Sequence, residues 1–223
     1  MRASSICTDS APILAMNLFG SSSGLPNYIL FVTSGLVFWF FFSNVTSQAV
    51  GSIVGSTGLL KSINIPSYFF PLSETIGELF NLLLTLLVFF VIMNWFGLVY
   101  SLKLLLIFPC ILLFSVFVLG LNLFLSSINV FFRDVGIIWG TIQPALFFLT
   151  PIGYSENSII PKYRLIIKCN PIYYFLKLGR SILYDPVAPS LHQWSNCLII
   201  SATMYIIGHF VFNKLKNQFI SAI

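Results

Sequence analysis

Chemistry that needs ionisable side chains has little to draw on in this chain. Its 223 residues include six Asp and Glu and two His, His192 and His209. The acidic pair at helical spacing is Glu74 and Glu78, one turn apart on one face of any helix that contains them. Acid–base cleavage of the glycosidase kind needs two carboxylates facing each other across a cleft, not stacked on one helix. The pair therefore reads as serving the dipole and packing of a helix that starts at Pro71–Ser73. Gly55 followed by Lys61-Ser62 has the outline of a phosphate loop, but Leu60 stands where a glycine must let backbone N–H groups wrap phosphate. Cys7, Cys110, Cys169 and Cys197 lack C-x-x-C spacing, which argues against a metal site or a disulfide framework. No catalytic group, metal or cofactor is expected on this chain.

Composition explains the scarcity. Hydrophobic residues make up 57%, charged residues 8% and aromatic residues 17%, with 24 Phe. A soluble domain carries about 25% charged residues, so one integral membrane domain over residues 1–223 is expected. The net charge of +5 concerns loops and lipid headgroups, and no nucleic-acid partner is expected.

The elements are organised around Ser127-Ile128-Asn129-Val130-Phe131-Phe132-Arg133-Asp134-Val135, a polar knot between two runs, 104–126 and 135–153, that contain no ionised side chain. Each run approaches the roughly 20 residues a helix needs to cross a bilayer. An Arg–Asp pair is costly at the bilayer centre and tolerable in a turn at its surface, so the knot is the hinge of a helical hairpin, with Asp134 placed to cap the second helix. Further spans are expected over Tyr28–Val50, Pro71–Asn94 and Ser195–Phe212. Residues 1–27 read as the end of a first membrane helix plus a loop, with the helix start missing, and residues 214–223 as a basic tail. The fold class is thus all-α integral membrane, with five to six transmembrane helices. In the long connection 154–193, Leu165–Ile167 and Phe175–Leu183 are apolar but too short to cross, and read as re-entrant or interfacial helices with basic faces before the last span. Spans alternate, so Lys61, Arg133 and Lys214 share one side and Lys103 and the 154–193 loop share the other; counting Lys and Arg leaves the orientation undecided.

Asn129-Val130-Phe131-Phe132-Arg133-Asp134, then Gln143-Pro144, then Phe147-Phe148-Leu149-Thr150-Pro151-Ile152, then Asn170-Pro171 and Arg180, resemble in order the membrane subunit of polysaccharide-export ABC transporters. Ser34-Gly35-Leu36-Val37-Phe38-Trp39-Phe40-Phe41 and Leu59-Leu60-Lys61 with Pro66 and Pro71-Leu72-Ser73 resemble the same family's second helix and following loop, so the likeness spans residues 28–213. The resemblance implies a homodimeric permease of the bacterial inner membrane that exports lipid-linked O-antigen, capsular or teichoic-acid chains. A separate ATPase subunit would hold ATP and Mg, and membrane lipids would be further partners. It also implies that Lys61 and Arg133 are cytoplasmic. A coupling helix with the apolar ridge Leu59, Leu60, Ile63 and Ile65 beside Lys61 and Pro66 would seat in the ATPase. The hinge residues Asn129, Phe131, Phe132, Arg133 and Asp134 would face the same compartment. Thr150, Pro151, Tyr154, Asn170, Pro171 and Arg180 would shape an outer gate, with Arg180 among the cations able to attract a lipid-linked pyrophosphate. Trp39, Tyr173 and Tyr174 are the aromatic candidates for stacking on sugars, each having a polar handle. Two other readings remain: an exporter of drugs or small lipids, and a membrane-embedded glycosyl- or acyltransferase.

Overall fold

The computed structural model describes residues 28–62, 66–95, 102–154, 164–185 and 188–219. The described helices are α1 (Tyr28–Gly55), α2 (Thr57–Ser62), α3 (Phe69–Trp95), α4 (Ile107–Phe131), α5 (Val135–Leu149), α6 (Arg164–Lys168), α7 (Pro171–Leu183) and α8 (Leu191–Leu215). Short 3-10 turns at Leu102–Leu106 and Lys216–Gln218 extend α4 and α8. The apolar segments Tyr28–Gly55, Phe69–Asn94, Leu102–Phe131 and Leu191–Gln218 are each long enough to cross a bilayer.

α1 is the central post. Its apolar stretch is 61% buried, against 28%, 39% and 22% for the other three, and it packs on α3, α4, α5 and α7. Its hydroxyls would be costly in hydrocarbon without partners. Ser34, Thr46 and Ser52 instead donate back to the carbonyls of Phe31, Phe42 and Ala49, each at 2.8 Å. Several of the phenylalanines meet at the centre of the bundle. Phe114 of α4 lies 5.8 Å from Phe38, 5.5 Å from Phe41 and 4.9 Å from Phe175, joining α1, α4 and α7 through ring contacts. Opposite faces carry Phe80, Leu84, Leu87 and Val91 on α3 and Ile206 and Phe210 on α8, all exposed, as lipid-facing surfaces are.

α4 and α8 form the closest seam. Ser201 donates to the Leu113 carbonyl at 2.7 Å, and seven residues further along both helices Gly208 meets Gly120. Equal spacing on both sides means that the two helices run parallel and in register. Cys110 and Cys197 are buried among the same core side chains as free thiols.

Two expectations are corrected. The fourth apolar run, expected over 135–153, stops at Leu149, giving a helix of 15 residues, because Thr150 precedes Pro151 and is extended (φ −90°, ψ 126°). At 1.5 Å per residue α5 is roughly 22 Å long, short of a bilayer core of about 30 Å. α3 begins at Phe69, since a proline is tolerated in the first helical turn. Glu74 and Glu78 consequently lie beyond that turn, outside the reach of the helix dipole. Of the two alternatives for Phe175–Leu183, re-entrant or interfacial, α7 takes the inserted one: Phe175, Leu178 and Ile182 are fully buried in the bundle core.

Candidate functional site

The residues singled out in the sequence gather at the two ends of the bundle. At the hinge end, a second apolar cluster of Ile53, Leu123, Val130, Phe212 and Phe219 draws together α1, α4, α8 and the C-terminal turn. Leu60 and Phe131 pack against it. The leucines of α2 therefore divide: Leu60 anchors the helix, and Leu59, 50% exposed, points outward. Pro66 is exposed; Ile63, Ile65 and the Lys61 side chain lie outside what the structure describes.

The hinge turns at Phe132-Arg133-Asp134, all exposed, with the Val135 N–H donating to the Phe132 carbonyl at 3.1 Å. Asp134 does not cap α5. Its own backbone is already helical (φ −70°, ψ −14°), whereas a capping side chain needs extended backbone to fold back on the helix. Asn129 takes that role from the preceding helix, its Oδ1 accepting from the Gly136 N–H at 3.2 Å. The polar sequence around the charge pair showed the turn, but a cap supplied across the turn leaves no local signature.

Between the two ends, single polar ties join the helices. Gln143 of α5 donates to the Ser43 carbonyl at 3.0 Å and to Thr46 Oγ1 at 2.8 Å, and accepts from Ser47 Oγ at 2.9 Å. Gln48 donates to Glu78 Oε1 at 2.8 Å, which is the partner of this buried carboxylate. Asn122 donates to Thr75 Oγ1 at 3.0 Å. Replacing Gln143 with leucine is expected to lower stability by about 1 kcal/mol, because interhelical ties within membranes average roughly 0.6 and reach about 1.7. The loss stays modest since Thr46 keeps its bond to Phe42. A detergent thermal melt reads it, and an unchanged midpoint would show that α5 is held by apolar packing alone.

At the other end, residues from four segments meet. Thr150 Oγ1 accepts from Asn170 Nδ2 at 2.8 Å, and Asn170 Oδ1 caps α7 by accepting from the Ile172 N–H at 3.0 Å, with Pro171 in the first helical position. Arg180 reaches back from α7 beneath them. Its guanidinium donates to the carbonyls of Pro151, Ile152 and Phe31 and lies 3.7 Å from the centre of the Phe31 ring. Gly35 leaves the space: a Cβ there would sit 2.7 Å from Nη2. Arg180 is only 7% exposed and its Nη donors are engaged by carbonyls, so it fastens the chain break rather than presenting a charge to a pyrophosphate. Tyr28 donates to the Gly153 carbonyl and Tyr154 to that of Phe148, closing the turn from both sides. Lys103 donates to the Asp185 carbonyl, tying the start of α4 to the end of α7. Burial raises the pKa of the Asp185 carboxyl, opposed by Lys103, Arg180 and Lys177.

The aromatic candidates separate by exposure. Trp39 is buried against Phe42 and Phe147, and Tyr173 is buried with Lys177 donating to its hydroxyl at 2.9 Å. Tyr174 lines an open cavity of about 330 Å³ together with Lys168, Pro171 and Asn196.

With this geometry in place, comparison with known proteins finds a match to the ABC-2 type transporter family over residues 10–184. Similar chains include two O-antigen export system permease proteins RfbA of Klebsiella pneumoniae. They are 29% and 27% identical over 197 residues, which is 87% of this chain and 75% of each relative. A third, the O-antigen export system permease protein RfbA of Myxococcus xanthus, is 25% identical over 202 residues, covering 89% of this chain and 77% of the relative. A family match over most of the chain, on a helical bundle with four spanning segments, makes this protein a multi-pass membrane member of the ABC-2 type transporter family.

Proposed function

We propose that this chain is the permease subunit of an ATP-driven exporter that carries lipid-linked polysaccharide of the O-antigen type across the bacterial inner membrane. It would act as two copies of itself, with a separate ABC-type ATPase supplying ATP and Mg. The observation that carries this reading is the family match over residues 10–184, shared with relatives named for O-antigen export along 87% or more of the chain. The geometry supports a division of labour. One end offers the outward leucine of α2 beside a capped hinge, a surface suited to receiving movement from a partner. The other end holds the break between α5 and α7 shut through Thr150, Asn170 and Arg180. On this reading the hinge end is cytoplasmic and the Arg180 end faces outward.

Complementation tests the whole reading. Expression in a strain whose O-antigen permease gene is deleted should restore long-chain surface polysaccharide when the chain's own ATPase partner is supplied. Failure with confirmed membrane insertion and a confirmed partner would remove the substrate assignment. The coupling surface has its own test. Leu59→Glu puts a charge on the exposed ridge and should reduce ATPase co-purification at least about tenfold, since truncating a central apolar anchor costs 2 kcal/mol or more and tenfold corresponds to 1.4. Leu59 is not part of the bundle core, so the melting midpoint should stay within a degree or two of the parent.

A further inference from the structure

At the hinge end a cavity of about 560 Å³ opens between the α2–α3 elbow, α4 and the last turns of α8. Its two ends differ in chemistry. Leu72, Leu119, Leu123 and Phe212, none of them exposed, make the apolar wall and belong to the membrane-crossing segments of α3, α4 and α8. The rim is formed by Tyr68, Asn213, Lys216 and Asn217, with His209 between rim and wall. His209 is fixed there, stacked on Tyr205 at 5.7 Å and 2.7 Å from Asn213. Among the described residues no carboxylate lines the cavity, and the full charge there is the Lys216 ammonium.

We propose that this cavity binds one anionic phospholipid of the adjoining leaflet, its phosphate at Lys216 and Asn213 and the start of an acyl chain along Leu119 and Leu123. An occupant must be apolar where α4 and α8 line the site and anionic, hydrogen-bond-accepting where the rim does. A glycerophospholipid has that order of groups along its length and reaches the opening from the bilayer without crossing it. The volume lies within the 300–1,000 Å³ of small-ligand sites, which fits a headgroup and part of a chain rather than a whole lipid. The lipid would touch both the α2–α3 elbow and α8, and so would brace α2 against the bundle. Naming this the inner leaflet rests on the proposed function; the binding itself does not, and the test uses no transport.

The protein is reconstituted in nanodiscs of phosphatidylcholine with phosphatidylglycerol as the minor lipid, and lipids retained after release are counted by native mass spectrometry. One phosphatidylglycerol per chain is expected. Lys216→Gln, at an exposed site, should lower its retention about fivefold, the scale of one lysine near an anionic surface. Lys214→Gln, on the same helix end but outside the cavity, should leave it unchanged. Leu119→Trp, which fills the cavity, should release the lipid even with Lys216 in place. Equal losses from the two lysine variants would overturn the proposal in favour of general surface attraction. So would equal retention of both lipids. Thermal stabilisation by inorganic phosphate but not by phosphatidylglycerol would also overturn it, pointing to a soluble anion.

Discussion

Gly208→Val is expected to leave almost no folded protein. A Cβ on Gly208 would land on the carbonyl of Gly120, and one on Gly120 would come within 2.6 Å of the Tyr205 backbone. In each case the obstructing atoms are main chain, so no rotamer change relieves the clash and α4 must move away from α8. Moving it breaks the Ser201–Leu113 bond and loosens the contacts around Phe114 at once. Small residues serve this purpose in membranes, where helix association depends on close packing rather than on exclusion of water. Overpacking usually costs 1–3 kcal/mol and more where the backbone itself obstructs; with main chain at the point of contact about 5 kcal/mol or above is expected, enough to cancel the lower end of the total stabilities of roughly 5–15. Size-exclusion chromatography in mild detergent should show aggregate in place of the parent peak. Gly140→Ala is the matched control, because a Cβ there meets nothing within 4 Å. It should be neutral or stabilising by up to about 1 kcal/mol through helix propensity. A Gly208→Val protein that melts with the parent would show that the seam is not closed as described.

Glycine in an apolar run gives no hint of this. Gly120 and Gly140 look alike in sequence, each set among Leu, Ile and Phe or Trp, and only the pairing of segments 88 residues apart tells them apart. What the sequence does disclose is whatever local chemistry decides. Apolar length places the spans, and Thr150-Pro151 and Asn170-Pro171 mark where helices stop and start, because proline constrains its own turn and the residue before it. The polar knot at 127–135 marks the hinge for the same reason. Asp134 misled because capping depends on backbone angles that composition does not reveal, and the amide that does the work lies seven residues before the N–H it accepts from. Arg180 misled in another way. Next to Lys177 on a short helix it reads as part of a basic surface, but α7 is enclosed on several sides and the two cations face different ones: Lys177 is exposed and Arg180 buried. The polar ties of Gln143, Gln48 and Asn122 lie between, since a lone amide in an apolar run predicts a helix partner without saying which.

Removing the Arg180 side chain should separate the two ends of the molecule functionally. Arg180→Leu leaves the carbonyls of Pro151 and Ile152 without the guanidinium donor, takes one donor from the Phe31 carbonyl, which keeps Ser34, and empties the space above Gly35. A buried acceptor left unsatisfied costs 1–3 kcal/mol; with two such acceptors, and with the cost of burying the guanidinium removed, a fall of about 2–4 kcal/mol is expected. Arg180→Lys keeps the charge, but a single ammonium cannot span carbonyls that the planar fork reaches together, and an intermediate loss follows. Gly35→Ala tests the cause. Its Cβ would press on Nη2 in the parent protein and on much less in Arg180→Lys, so the two changes together should cost clearly less than their sum. Additive losses would mean that Gly35 is required for some reason other than room for the guanidinium. The residues released, 150–154, lie at the opposite end of the bundle from Leu59. At a temperature where Arg180→Lys remains folded, ATPase co-purification should therefore hold near the parent level while polysaccharide export falls. Leu59→Glu should lose both, because an uncoupled permease has no drive. If Arg180→Lys also lost its ATPase, the Arg180 break and the proposed coupling surface would have to be one mechanical unit, and the proposed separation of roles would not stand.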